Sequence, residues 1–204
     1  STSTDTYMIK NSEWGAVAYL SHSKYGTCTN GTCSEVGINN NSNNITGCGA
    51  VAGSSSSTTC NAYNTTTGMI ASTTKNIYGA YDMSGGAYEY TMANVANTNG
   101  TTMIPKSSGY TTTTYPSSKY YNKYNYGTSD ETRGRSKLGD GIKEVYKSSD
   151  KNWYDDYSYL VCSDYPWLLR GGYYSRGQNA GLFLSGTSNG SAVSLYSSRL
   201  IIKP

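Results

Sequence analysis

The sequence predicts an α+β domain with long irregular insertions. Three observations carry the prediction: a helical stretch near the start, short strand-like pieces divided by glycine turns in the middle and at the end, and two aperiodic stretches between them. At 204 residues the chain fits one domain, 1–204, with enough length to bury a core. Only 36% of it is apolar, yet it holds 22 Tyr and 3 Trp against a single Phe. A core built on tyrosine must give each hydroxyl a partner or water, which favours strands and wet surfaces.

The elements follow in chain order. "IKNSEWGAVAYLSHSKYG" reads as the helix, with Asn11 or Ser12 as N-cap, an apolar face through Trp14, Val17, Ala18 and Leu20, and an end at Gly26. Residues 27–67 are Asn, Ser, Gly and Cys with scarcely any periodicity, so an irregular insertion held by disulfides is expected. In "NIYGAYDMSGGAYEYTMANV" a turn around Asp82 to Gly86 separates "IYGAY" from the alternation at Ala87, Tyr88, Tyr90 and Met92, which reads as short strands. Residues 100–150 form a second irregular excursion, with a small helix or turn at "KLGDGIKEVY". Within it, the tyrosines of "YYNKYNYG" read as a packed, partly exposed aromatic surface. In the last segment, "WLLRGG" and "RLIIKP" read as core strands bracketing an exposed display.

Five cysteines are present, and four crowd into the insertion. No C-x-x-C pair or interleaved His is seen among them, so disulfides are expected and a metal site is not. Four cysteines allow three pairings; we pair Cys28 with Cys33 and Cys48 with Cys60, leaving Cys162 as a buried thiol. An oxidising, exported setting implies an export or anchoring segment upstream of "STSTDT". No apolar run approaches a membrane span, so no direct membrane insertion is expected from these residues. The net charge of +3 is small and scattered, which excludes a nucleic-acid footprint.

Catalytic constellations are missing. The one histidine, His22, leaves no multi-histidine metal site and no motif-borne triad. "GTSNGS" lacks the Lys of a phosphate loop, and "YDMSGG" lacks the spaced glycines of a dinucleotide site. Asp155 and Asp156, with Asp150 and Asp164 nearby, fit no EF-hand spacing and read as solvated acids. No enzyme activity and no cofactor are expected.

Three pieces in order carry a resemblance: "SEWGAVAYL", "NIYGAYDMSGGAYEYT", and "LLRGGYYS" followed by "SSRLII". Together they resemble the formylglycine-generating-enzyme (sulfatase-modifying-factor) branch of the C-type lectin fold, whose members run "N-x-y-DMsGNvwEW" and later "RGGsw". The resemblance covers most of the chain, but neither the cysteine insertion nor residues 100–150. It implies a C-type-lectin-like domain in which Asp82, Glu89, Arg170, Gly171, Gly172 and Arg199 are structural. Asp82 and Glu89 would bond turn amides, while Arg170 and Arg199 would fork onto strands and carboxylates. The catalytic branch carries reactive cysteines after its "RGG", and Tyr173 to Ser198 contains none. Gly86 stands where the motif has Asn.

The same branch includes the variable proteins of diversity-generating retroelements, whose stretch after "RGG" is rewritten at adenines to make a binding surface. "RGGYYSRGQNAGLFLSGTSNGSAVSLYSSRL" is similar to that stretch in position, length and mixture of side chains. The resemblance implies a C-terminal binding surface over about 170–200. Its contacts would come from Tyr173, Tyr174, Arg176, Asn179, Leu184, Ser185, Thr187, Asn189, Ser194 and Tyr196, all residue types reachable from an Asn codon by changing adenines, whereas Gln178 is not. Tyr and Arg supply large contact area and forked hydrogen bonds. The expected function is non-catalytic binding of a protein or glycan ligand by an extracellular protein, at the surface of a cell or virion. The alternatives are a structural pilin-like subunit in a pilus or surface assembly, an ordinary lectin-like adhesin and, last, a formylglycine-generating-type enzyme.

Overall fold

A computed structural model describes residues 4–203. The first three residues, part of the "STSTDT" behind the expected upstream segment, and Pro204 lie outside the described residues. The architecture is mixed α and β: strand β1 (Asp5–Met8), helix α1 (Asn11–Ser21), a hairpin of β2 (Cys28–Thr29) and β3 (Thr32–Cys33), the one-turn helix α2 (Thr66–Met69), then β4 (Tyr88–Val95), β5 (Asn122–Tyr124), β6 (Trp167–Gly171), β7 (Gly181–Ser188), β8 (Tyr196–Ser198) and β9 (Leu200–Lys203).

The main sheet runs β5-β4-β6-β7, with β8 also on β4. The two irregular neighbours share one edge of β4: β8 pairs in parallel from Tyr88↔Tyr196 and β5 in parallel from Ala93↔Asn122. On the other edge β6 runs antiparallel, Glu89 opposite Arg170, and β7 runs antiparallel to β6. All of β4 except Tyr90 is buried, as befits a strand flanked on both sides. β7 ends the sheet, but its edge is covered, since Tyr159 N–H donates to the Ser185 carbonyl and Ser185 N–H to that of Tyr157, both at 2.9 Å. Covering an edge removes a row of unpaired backbone groups. Separately, β1 and β9 pair antiparallel, bringing Met8 opposite Leu200.

Helix α1 is N-capped by Lys10, whose backbone N–H donates to the Glu13 carboxylate at 2.9 Å; that is the reaching-back half of a capping box. The cap therefore falls one residue before the expected Asn11 or Ser12. The helix ends at Ser21, with His22 as C-cap, rather than at Gly26. Its buried stripe is Asn11, Trp14, Gly15, Ala18 and Ser21, spaced by three and four, and Leu20 falls off it at 55% exposure. Trp14 is fully buried, its indole N–H donating to the Leu182 carbonyl at 2.8 Å. With Ile9, Val36, Met83, Val145 and Phe183 it forms one core cluster, and truncating it to Ala would cost about 3–5 kcal/mol. A second cluster, around Val95, Tyr124, Ile142, Leu160 and Leu168, lies beneath β4 and β5.

The insertion at 27–67 is irregular apart from its hairpin, where Asn30 (φ 52°) and Gly31 (φ 81°) make the two-residue turn that a right-twisted pair needs. Disulfides join Cys28 to Cys33 and Cys48 to Cys60, and Cys162 is a buried free thiol. Asparagine amides replace the missing backbone ladder: Asn40 Nδ2 donates to the Ser55 carbonyl at 2.6 Å, and Asn61 Nδ2 to that of Gly49 at 2.8 Å.

Two expected elements differ in part. "IYGAY" forms turns rather than a strand, whereas "KLGDGIKEVY" takes the turn of its two expected forms. "RLIIKP" does supply β9, but Leu200 is 65% and Ile202 71% exposed, because only β1 pairs with it and no layer covers its outer face. In "YYNKYNYG" Tyr121 and Tyr124 are buried while Tyr126 is exposed, so the stretch is packed and partly exposed, as expected. Among the described residues no helix is long and apolar enough to cross a membrane.

Candidate functional site

The chain leaves β6 through Gly171 (φ 80°) and Gly172 (φ 82°), two consecutive left-handed residues that swing it out of the sheet. A Cβ on Gly172 would stand 2.8 Å from that of Ala180, so the turn also closes on the chain it leads into. Between them Tyr173 to Asn179 form a compact turn, stitched by Arg176 N–H to the Tyr173 carbonyl at 2.9 Å and Asn179 N–H to that of Arg176 at 3.1 Å. Tyr174 N–H donates to the Gly86 carbonyl at 3.0 Å, which ties the turn to the central motif. On its other side Gly53 and Ser54, inside the Cys48–Cys60 loop, pack against Gly177 and Gln178.

This turn, β8 and the far end of β7 frame a tyrosine-lined face with two recesses. The larger, about 470 Å³, is lined by Tyr88, Tyr157, Tyr159, Tyr165 and Tyr196, with Arg176, Thr187 and Asp130 among them. The smaller, about 350 Å³, lies between Tyr90, Tyr110, Trp167, Val193 and Tyr196. Both volumes fall in the range of small-ligand sites, roughly 300–1,000 Å³. Tyr196 belongs to both, its ring edge-on to Tyr88 at 5.8 Å and to Tyr90 at 5.4 Å. In the smaller recess Tyr110 stacks on Trp167 at 5.7 Å, and the Tyr90 hydroxyl donates to the Ser191 carbonyl at 2.9 Å.

Arg176 is the electrostatic centre of the larger recess. Its guanidinium lies 5.0 Å from the Tyr173 ring centroid, 5.3 Å from Tyr157 and 5.7 Å from Tyr88, within cation–π range of all three. Its buried Nε has no hydrogen-bond partner, and no ion pair joins it to an acid among the described residues. Burial pushes the Tyr88 hydroxyl up to about 12 against the opposing pull of Arg176, and burial also raises Tyr90 and Tyr159. These rings therefore stay neutral at physiological pH. The face presents hydroxyl groups and aromatic planes around one fixed positive charge, a chemistry suited to non-covalent recognition.

Of the expected contacts, Tyr173, Tyr174, Arg176 and Asn179 sit half-buried on the turn, Thr187 and Tyr196 line the larger recess, and Asn189 and Ser194 are exposed. The Asn179 amide oxygen is already taken by Lys151 Nζ. Ser185 is corrected, being fully buried inside β7 under the cover of Tyr157–Tyr159; Leu184 is also fully buried, but it packs under Tyr88 and Leu169 at the floor of the larger recess.

The structural residues also differ in part. Asp82 does bond a turn amide, accepting from Gly47 N–H at 3.0 Å, and it also accepts from Asn39 Nδ2 at 2.7 Å, so the turn it holds is in the insertion. Glu89 bonds no turn amide; Arg199 forks onto it, Nε to Oε2 at 2.5 Å and Nη2 to Oε1. Arg170 is fully buried and reaches no carboxylate: its Nη2 donates to the Leu182 carbonyl at 3.0 Å and its head lies over Trp14. Burial pulls its pKa down to about 10.

Asp156 is also corrected, from solvated acid to fully buried side chain, accepting from Phe183 N–H at 2.9 Å. The other acids of that group are each held by a different base, Asp150 by Arg133, Asp155 by Lys147 at 3.1 Å and Asp164 by Lys106 at 3.4 Å. His22 folds next to Cys28 and Cys33, a proximity that spacing along the chain does not reveal, but both sulfurs are engaged in the disulfide. Of the tyrosines of the larger recess, Tyr196 was expected, while Tyr88, Tyr157, Tyr159 and Tyr165 were missed. The period-two spacing of Tyr157 and Tyr159 was the signal that places both on one side of an extended segment.

No family model matches the chain, and no curated protein or solved structure matches it. The two disulfides are those of a protein from an oxidising, non-cytoplasmic setting.

Proposed function

We propose that the chain is a non-catalytic binding protein of a cell or virion surface, whose tyrosine-lined face takes a protein or glycan ligand. The observation that carries this is the convergence of two recesses on Tyr196, the first residue of β8, whose ring shares Tyr88 with Tyr173 of the turn that the glycine pair swings out of the sheet. Buried aromatic anchors around an arginine are the composition of interface hot spots. The C-type-lectin-like frame and the variable-protein role belong to the same proposal. They are supported by the order of the three motifs and by the exposed or half-buried positions of Tyr173–Asn179, Thr187 and Asn189–Tyr196, of which Tyr173 and Tyr196 rest on the Tyr88–Leu169–Leu184 cluster.

Two measurements test it. Binding of the immobilised chain to arrays of glycans and surface proteins should be lost in Tyr196→Ala while the fold is kept; binding that is indifferent to Tyr196→Ala overturns the assignment of the face. Sequencing the locus across isolates should show replacements at adenine-templated codons among the outward positions of 173–196, with Leu184 and Ser185 constant. A uniform stretch removes the variable-protein role.

A further inference from the structure

We propose that the recess around Arg176 receives a carboxylate-bearing sugar, a uronic or nonulosonic acid unit of a glycan. This rests on reading the tyrosine-lined face as a ligand-binding surface. The first support is the arginine itself. A guanidinium is a five-donor fork that pairs with carboxylates, yet Arg176 forms no ion pair within the described chain and its buried Nε is unpartnered. Three tyrosine rings fix the head in place without satisfying it as an acid would.

The second support is what surrounds that charge. The walls are tyrosine rings, which offer flat apolar planes to the C–H faces of a sugar and hydroxyls to its oxygens. Lys151, held by Asn179 and 4.4 Å from the Tyr157 ring centroid, adds a second positive charge beside the recess. Asp130 lines the same recess. It would accept from ligand hydroxyls and repel a second anion, so the recess favours one carboxylate set among hydroxyls over a polysulfated chain or a peptide dense in Asp and Glu. A volume of about 470 Å³ accommodates a sugar unit with part of its neighbour.

The test uses ligand-observed NMR titration of the whole chain with four probes: methyl glucuronide, the methyl glycoside of N-acetylneuraminic acid, methyl glucoside and a triglutamate peptide. One or both sugar acids should bind at least tenfold more tightly than the neutral glucoside, and which of the two does so distinguishes the sources. Arg176→Gln should weaken the sugar acid at least tenfold and leave the glucoside unchanged. Arg176→Lys, which keeps the charge without the fork, should weaken it about three- to tenfold and serves if the glutamine variant does not fold. Equal binding of glucuronide and glucoside, retention of sugar-acid binding in both variants, or tighter binding of triglutamate overturns the proposal. A chain that binds array ligands through Tyr196 but ignores both sugar acids sinks this inference alone, whereas one that binds nothing sinks the binding-face reading with it.

Discussion

Arg199 closes on Glu89 with two bonds of its guanidinium, and the same Nη2 also donates to the Tyr81 carbonyl at 3.1 Å. Glu89 is only 4% exposed, and burial raises its pKa even against the pull of Arg199. The pair pins the chain between β8 and β9 to the start of strand β4. Removing one partner of a buried pair strands the other, at a cost of about 3–5 kcal/mol. Arg199→Met should therefore lose about that much in urea unfolding at pH 7, and Glu89→Gln/Arg199→Met markedly less. The orphaned carboxyl is tolerated only when protonated, so the loss in Arg199→Met should shrink as the pH falls towards 5. A loss under about 1 kcal/mol at pH 7 would show that the pair is not a structural tie.

Stability should fall as the pH rises from about 4.5 to 8. Burial pushes the Glu35 carboxyl up to about 8, with the Asp155 charge adding to it, and its Oε1 has no partner. A carboxyl raised in the folded state binds more protons there than in the unfolded chain, so its contribution favours folding below the unfolded pKa and is lost as the pH climbs through the folded one. Asp156, also raised, acts in the same direction. Glu35→Gln should flatten the slope and raise stability at pH 8 by about 1–3 kcal/mol. Parallel urea curves for the two proteins across pH 5, 6.5 and 8 would refute this.

Opening the Cys48–Cys60 link should cost about 3 kcal/mol and opening Cys28–Cys33 about 2, from loops of 12 and 5 residues. The two differ more in where the effect is felt. Only Cys48→Ala/Cys60→Ala should speed amide exchange at Asn179 and Ala180, since its loop backs the turn at Gly177. Equal acceleration in both variants would mean that the turn stands without that support.

Gly172→Ala combines a left-handed backbone with a collision against Ala180. It should cost about 2–4 kcal/mol. The corresponding drop in Tm is roughly 5–15 °C. A variant melting within 2 °C or so of the parent would show that the turn has slack in it.

Much of this was legible along the chain, but unevenly. The helix showed itself through Trp14 and Ala18, and the pairing of Cys28 with Cys33 was within reach because Asn30-Gly31 is the strongest two-residue hairpin signal there is. Ser185 misled because a strand at the end of a sheet looks like display until its cover is known, and that cover, Tyr157–Tyr159, lies about 26 residues upstream. Asp156 misled for the same reason: an acid between tyrosines reads as solvated, while only the folded chain brings Phe183 N–H to it. The recesses were out of reach altogether, since Asp130, Tyr157, Arg176 and Tyr196 meet only in space.

Tyr196 is a partition wall with a cavity on each side. Because both recesses share that one ring, a ligand group on either side of it rests on the same side chain. A branched ligand with an arm for each would straddle Tyr196, and its preference would depend on the spacing of its arms as much as on the chemistry of either tip.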